Sequence, residues 1–187
     1  MKTQGIIKTS LGFVVLIALA ILAGCDRQKS GTTDNAARQG VDKIAFDPKN
    51  PCTLLKKEEV EAFMKQKVMD LEPQEGFCSY WSREPKSISF EITVTTPGDP
   101  LGELRGIKKY MQTDGQKSGH IIKQVDGVGD DAFFQVIPQE QEKYLYVVKG
   151  KYHFIFRARG DKGYELSEAE MKILAKKALD RIQEARA

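Results

Sequence analysis

Residues 87–95 alternate without a break. Ile88, Phe90, Ile92 and Val94 fall on one side, and Ser87, Ser89, Glu91, Thr93 and Thr95 on the other. Successive side chains of a strand point to opposite faces, so this stretch predicts a strand with one dry face and one wet face. Strands of a parallel sheet are covered on both faces, so a wet face favours antiparallel neighbours. Pro97, Gly98 and Pro100 end the strand. Cys78-Ser79-Tyr80-Trp81 predicts an earlier strand, and strands are expected near 120–126 and 132–137. Residues 144–148 and 152–158 flank Lys149-Gly150-Lys151. That pattern predicts a hairpin whose turn uses a positive φ at Gly150.

Helical spacing appears in three places. Around 53–66, Leu55, Val60, Phe63 and Met64 form a stripe, with Glu58, Glu59 and Glu61 early in the helix, where the dipole favours acids. Over 100–113 the stripe is Leu101, Leu104, Ile107 and Met111, weakened by Gly102 and Gly106 at about 1 kcal/mol each. In the last helix Ser167 and Glu170 make a capping box, followed by Met171, Leu174, Ala175, Ala178, Leu179 and Ile182 at helical spacing. Lys172, Lys176, Lys177 and Arg181 are expected to face outward. They read as a solvated helix face, or alternatively as a basic patch for anionic lipid or acidic protein. The predicted fold class is α+β, a twisted antiparallel β-sheet packed by about three helices.

The first residues have another character. Lys2 and Lys8 precede an apolar run from Leu11 to Ala23, which is short of the roughly 20 residues that span a bilayer comfortably. Leu22-Ala23-Gly24-Cys25 resembles the lipobox of bacterial lipoprotein signal peptides. The resemblance implies cleavage between Gly24 and Cys25, a diacylglyceryl thioether on Cys25 and an acyl group on its new amino terminus. One acyl chain binds a membrane only marginally, whereas two or three hold it stably. A retained signal anchor and a cleaved leader without lipid are the competing readings. Residues 26–43 are polar and lack an apolar period, which reads as a flexible tether averaging roughly 25 Å. The expected organisation is a signal peptide at 1–24, a lipidated cysteine and tether at 25–43, and one α+β domain at 44–187. Asp26 resembles the signal that keeps Gram-negative lipoproteins on the periplasmic face of the inner membrane. It is equally an ordinary polar tether residue.

Removing residues 1–24 from 187 leaves 163, and Lys2 and Lys8 go with them. The 29 basic residues become 27 against 26 acidic. A near-neutral domain gives no electrostatic reason to expect a nucleic-acid partner. With Cys25 assigned to lipid, Cys52 and Cys78 remain. In an oxidising compartment such a remainder predicts a disulfide, worth roughly 3–4 kcal/mol for a loop of this length. Two free thiols or a redox pair are the alternatives.

Pro51-Cys52-Thr53-Leu54-Leu55, Cys78-Ser79-Tyr80 and Gly127-Val128-Gly129-Asp130-Asp131-Ala132-Phe133 occur in that order, before a hairpin and a closing amphipathic helix. Together they resemble a family of small uncharacterised bacterial lipoproteins with a P-C-x-L-L, C-x-Y, G-x-G-D-x-A layout, related in fold to the PsbP-like α/β/α sandwiches. The resemblance covers most of 50–183. It implies a twisted antiparallel sheet packed by helices and brings no catalytic residues. Lys56 and Lys57 stand where such proteins often cap the first helix with a hydroxyl.

The chain contains no G-x-S-x-G, H-E-x-x-H or C-x-x-C spacing. His153 reads as a sheet-surface histidine on the face of Ile155 and Arg157, with a catalytic base as the alternative. Asp126, Asp130 and Asp131, set among Gly127 and Gly129, read as a tight turn, or alternatively as an oxygen site for Ca²⁺ without EF-hand spacing. Phe77, Tyr80 and Trp81 either pack over the disulfide or offer an aromatic binding patch. The functional expectation is a membrane-anchored envelope lipoprotein that acts without catalysis. It would have no cofactor beyond its own covalent lipid, and would bind an envelope protein or a small ligand. The alternative is a lipid-anchored hydrolase whose dispersed carboxylates meet only in the fold.

Overall fold

The computed structural model describes residues 45–71, 73–84, 88–161 and 166–182. Gly24, Cys25, the leader, the tether and Ser87 lie outside them. Six antiparallel strands form one sheet: β1 (Phe77–Trp81), β2 (Ser89–Thr95), β3 (Ile121–Gln124), β4 (Asp131–Ile137), β5 (Glu142–Lys149) and β6 (Tyr152–Arg159). Their spatial order is β1-β2-β6-β5-β4-β3. The three helices are α1 (Lys57–Met64), α2 (Pro100–Tyr110) and α3 (Glu168–Asp180). The expected α+β class holds, with an antiparallel sheet and three helices.

Five of the six strands bury alternate residues on the larger core. Cys78 and Tyr80, then Phe90, Ile92 and Val94, Phe154 and Phe156, Leu145 and Val147, and Ala132 and Phe134 all point to it. Val60 and Met64 of α1 and Met171, Leu174, Ala175 and Ala178 of α3 cover that face. α2 lies on the opposite face. It inserts Leu104 against Phe133, Tyr146 and Val148, with Ile107 at the margin.

Several local expectations need correction. The first helix does not start at 53. A 3₁₀ turn at Pro51–Thr53 precedes α1, which begins at Lys57 and ends at Met64, with Lys65 capping it at φ 55°. A lysine side chain has no acceptor to cap with. The first turn is closed instead by the Glu59 carboxylate, which accepts the Lys56 N–H at 2.8 Å. α2 ends at Tyr110 and passes into a π-helical turn, Met111–Gly115. Leu101 is exposed rather than part of its buried stripe. The capping box of α3 is present, with Glu170 N–H to Ser167 Oγ at 3.2 Å. Gly150 takes φ 57° in the β5–β6 hairpin as expected.

The expected wet face of β2 is wet only towards its end, where Thr93 is half-buried and Thr95 exposed. Ser89 and Glu91 are both buried. Alternation reports which side chains are polar, and here the polar ones are covered by neighbouring strands' long side chains.

Candidate binding surface

The signatures that carry the family resemblance assemble into structural locks. Cys52 and Cys78 form a disulfide with a Cα–Cα distance of 5.1 Å. It ties the 3₁₀ turn to β1. Two residues along, the buried Tyr80 hydroxyl donates to the Leu55 carbonyl at 2.9 Å, and burial pushes its pKa up. Leu54 and Leu55 are themselves in the core. The Leu54 carbonyl accepts from Arg181 at 2.8 Å, and the Arg181 fork grips both Glu59 oxygens at 2.6 Å. Lys177 adds a third contact to Glu59 at 2.7 Å. Arg181 is therefore buried, against the expectation that it faces out. It lies seven residues after buried Leu174, at the edge of the buried stripe, where α1 supplies Glu59. Burial raises the Glu59 carboxyl, yet bonds from Arg181, Lys177 and the Lys56 N–H outweigh it and hold the pKa at about 2.

The glycine-aspartate motif is a second lock. Gly127 and Gly129 have φ 70° and 62°. A Cβ on Gly129 would lie 2.3 Å from the Val148 carbonyl oxygen, so only glycine lets the chain pass there. Asp130 accepts the Gly150 N–H at 2.6 Å and lies 3.6 Å from Lys149, which pins the hairpin tip. Asp131 accepts from Gln124 at 3.0 Å. Asp126 is exposed. Among the described residues no three His, Cys, Asp or Glu side chains gather as a metal group.

Phe77, Tyr80 and Trp81 do not form one patch. Tyr80 points into the core, whereas Phe77 and Trp81 point to the opposite face and are half-buried. His153 is also corrected. It lies on the face of Ile155 and Arg157 as expected but is only 1% exposed rather than at the sheet surface, because α2 covers it. Its Nδ1 is 3.0 Å from Glu103 of α2, and its Nε2 has no partner among the described residues.

What sequence reading missed is the polar network on the part of this face beyond α2. Register places Glu91 directly opposite Arg157, and Arg157 opposite Tyr144. The Arg157 guanidinium donates to Glu91 at 3.1 Å and to Glu142 at 2.6 and 3.3 Å. It also lies over the Tyr144 ring, 5.5 Å from the centroid. Tyr144 in turn donates to Glu142 at 2.5 Å. Burial pushes Glu142 up, but the Arg157 and Tyr144 bonds leave it below the ordinary carboxylate range. Burial and the Glu142 bond together raise the Tyr144 phenol. Further along β5, Tyr146 donates to Gln135 of the adjoining β4 at 2.9 Å, and Gln135 contacts His120 Nδ1 at 2.9 Å. Beside the network, an open cleft of about 410 Å³ lies between the β4–β5 turn and Arg159–Asp161. Its walls are amide and charged side chains, with Gln141 in the left-handed region at φ 55°.

This chemistry suits recognition. Charges are fixed in place, the Tyr144 ring lies under a guanidinium, and the carboxylates that converge have that guanidinium between them. No protein-family model matches the chain, and no curated protein matches it.

Proposed function

We propose that this chain is a bacterial envelope lipoprotein, cut before Cys25 and anchored by diacylglycerol and an N-acyl group there. Its domain would act as a binding or accessory module for an envelope protein or a small polar ligand. The observation that carries the address is the Cys52–Cys78 disulfide. A buried disulfide persists in an oxidising compartment, which is where the lipobox-like leader would send the chain. In a Gram-negative host, Asp26 favours the periplasmic face of the inner membrane. The fold kinship we propose is with the PsbP-like lipoproteins.

The binding role is supported by the state of the carboxylates. A hydrolase acid working near neutral pH needs a raised pKa. Glu59 and Glu142 are lowered instead, each by a guanidinium that fills its vicinity. Arg157 sits between Glu91 and Glu142, the place a water or glycosidic oxygen would need.

Cell fractionation of a Cys25→Ser variant tests the anchor. We expect loss of processing and accumulation of precursor. Normal maturation and ordinary membrane partition of that variant would reject it.

A further inference from the structure

The chain has two histidines, and both lie along one helical segment, α2 with its π-helical turn. That segment is lightly held. Only Leu104 of the eleven α2 residues is buried, and only Gly115 of the turn, whereas α3 buries five. His153 meets its first part through Glu103. His120 closes its far end, donating its backbone N–H to the Gly115 carbonyl at 3.0 Å. The Gly115 backbone comes so near the ring that a Cβ there would lie 3.0 Å from His120 Nδ1.

Both rings sit where a neutral imidazole fits and an imidazolium does not. A carboxylate only accepts, so His153 Nδ1 carries the proton it shares with Glu103 at 3.0 Å, and Nε2 of the neutral ring is bare. Nε2 is buried without a partner among the described residues. A second proton would make it a charged donor with nothing to receive it. The ion pair gained with Glu103 offsets little of this, because the Glu103 side chain is 39% exposed. In register His153 lies between the neutral Thr95 and Val148, and the Tyr146 ring is 6.2 Å away. Charged groups at the same end are engaged elsewhere: Asp99 caps the Gly102 N–H, Asp131 accepts from Gln124, and Lys151 lies over Tyr152.

His120 ends a relay. The Tyr146 hydroxyl donates to Gln135 Oε1, and the Gln135 amide donates to His120 Nδ1, each at 2.9 Å. An imidazolium has a donor at both nitrogens, so Nδ1 could no longer accept. Turning the amide over would restore that bond but present its NH₂ to Tyr146, whose own proton would then be stranded. Tyr146 and Gln135 are both buried, and Tyr146 shares the Leu104 seat with Phe133 and Val148. The charged groups of the turn, Asp114 and Lys117, pair with each other at 3.1 Å, and Lys108 of α2 bonds Gln124.

We propose that the segment from Pro100 to Gly115 is an acid-released cover. It seats on the sheet while both imidazoles are neutral, and lifts from Phe133, Tyr146 and Val148 as they gain protons. Imidazoles do so between about pH 5 and pH 8. Each stranded donor should raise the open population roughly 10-fold. The device belongs to the domain itself and does not depend on the lipid anchor.

The test follows amide exchange of the purified full chain from about pH 7.5 to about pH 5, beside an NMR titration of the two imidazoles. Each exchange rate is corrected for its intrinsic dependence on pH. We expect protection of the α2 and π-turn amides to fall about 10-fold or more, with a midpoint that tracks the imidazole shifts. Protection of α3 should hold, because the Glu59 that ties it titrates at about 2. In His120→Asn/His153→Asn, whose amides take the Nδ1 positions without a change of charge, the acid response should vanish. Unchanged protection across the range, a loss shared by α3, or an undiminished response in the double variant would overturn the proposal. If that variant does not fold, the unsubstituted chain still decides, since opening that does not coincide with the imidazole titration contradicts the proposal.

Discussion

Replacing Glu59 with Gln keeps the shape of the α1–α3 lock and removes its charge. In the folded chain Glu59 titrates at about 2, against 4.5 for the free side chain. That difference is worth about 3 kcal/mol when the carboxylate is ionised in both states. The side chain is only 14% exposed, so solvent screening removes little of it. Removing one member of a buried pair costs about 3–5 kcal/mol by general experience, because the other charge is stranded. Here that charge is Arg181, which also donates to the Leu54 carbonyl. Because the folded pKa is depressed, the stabilisation is complete above the unfolded value and is lost as pH falls through the folded one. It should shrink to about 1 kcal/mol at pH 3 and to a few tenths at pH 2. Urea unfolding, followed by Trp81 fluorescence, should give Glu59→Gln a deficit of about 3 kcal/mol at pH 7 that nearly closes at pH 2. A deficit under about 1 kcal/mol at pH 7, or one unchanged at pH 2, would refute the pairing account.

Three further outcomes are expected. Tyr80→Phe leaves the buried Leu55 carbonyl without its donor, and should cost about 1–3 kcal/mol in denaturant titration; a neutral result would mean the bond contributes nothing. Gly129→Ala forces a Cβ against the Val148 carbonyl at a positive φ, so thermal melting should register a loss above about 2 kcal/mol. Reduction of Cys52–Cys78 should lower stability by about 3.5 kcal/mol, measured with and without reductant, and a smaller change in Cys52→Ala/Cys78→Ala would indicate residual structure in the unfolded chain.

Local pattern carried much of the fold. Period-2 alternation located β2, the stretches flanking Lys149-Gly150-Lys151 located β5, β6 and their hairpin, and Ser167 with Glu170 marked the start of α3. Cysteine counting reached the disulfide. The failures share a cause: each depended on what packs against an element from far along the chain. Arg181 is charged and so reads as outward, yet it lies seven residues after buried Leu174, and its partner Glu59 comes from α1, more than a hundred residues earlier. His153 occupies the predicted face, but α2 covers it. Glu91 and Arg157 become partners only through register, which alternation does not specify. A charged residue placed mid-strand among hydroxyls was the available hint at Glu91. The candidate surface was thus hardly legible, because its residues come from β2, β5 and β6 and carry no common spacing.

The anchor is the claim on which location and role depend. Mass spectrometry of the intact mature protein, purified from its native membrane, measures it directly. The account predicts a chain beginning at Cys25 and heavier than its polypeptide by a diacylglyceryl group and an amide-linked acyl chain. A mass equal to the bare polypeptide, or one that still includes residues 1–24, would contradict it.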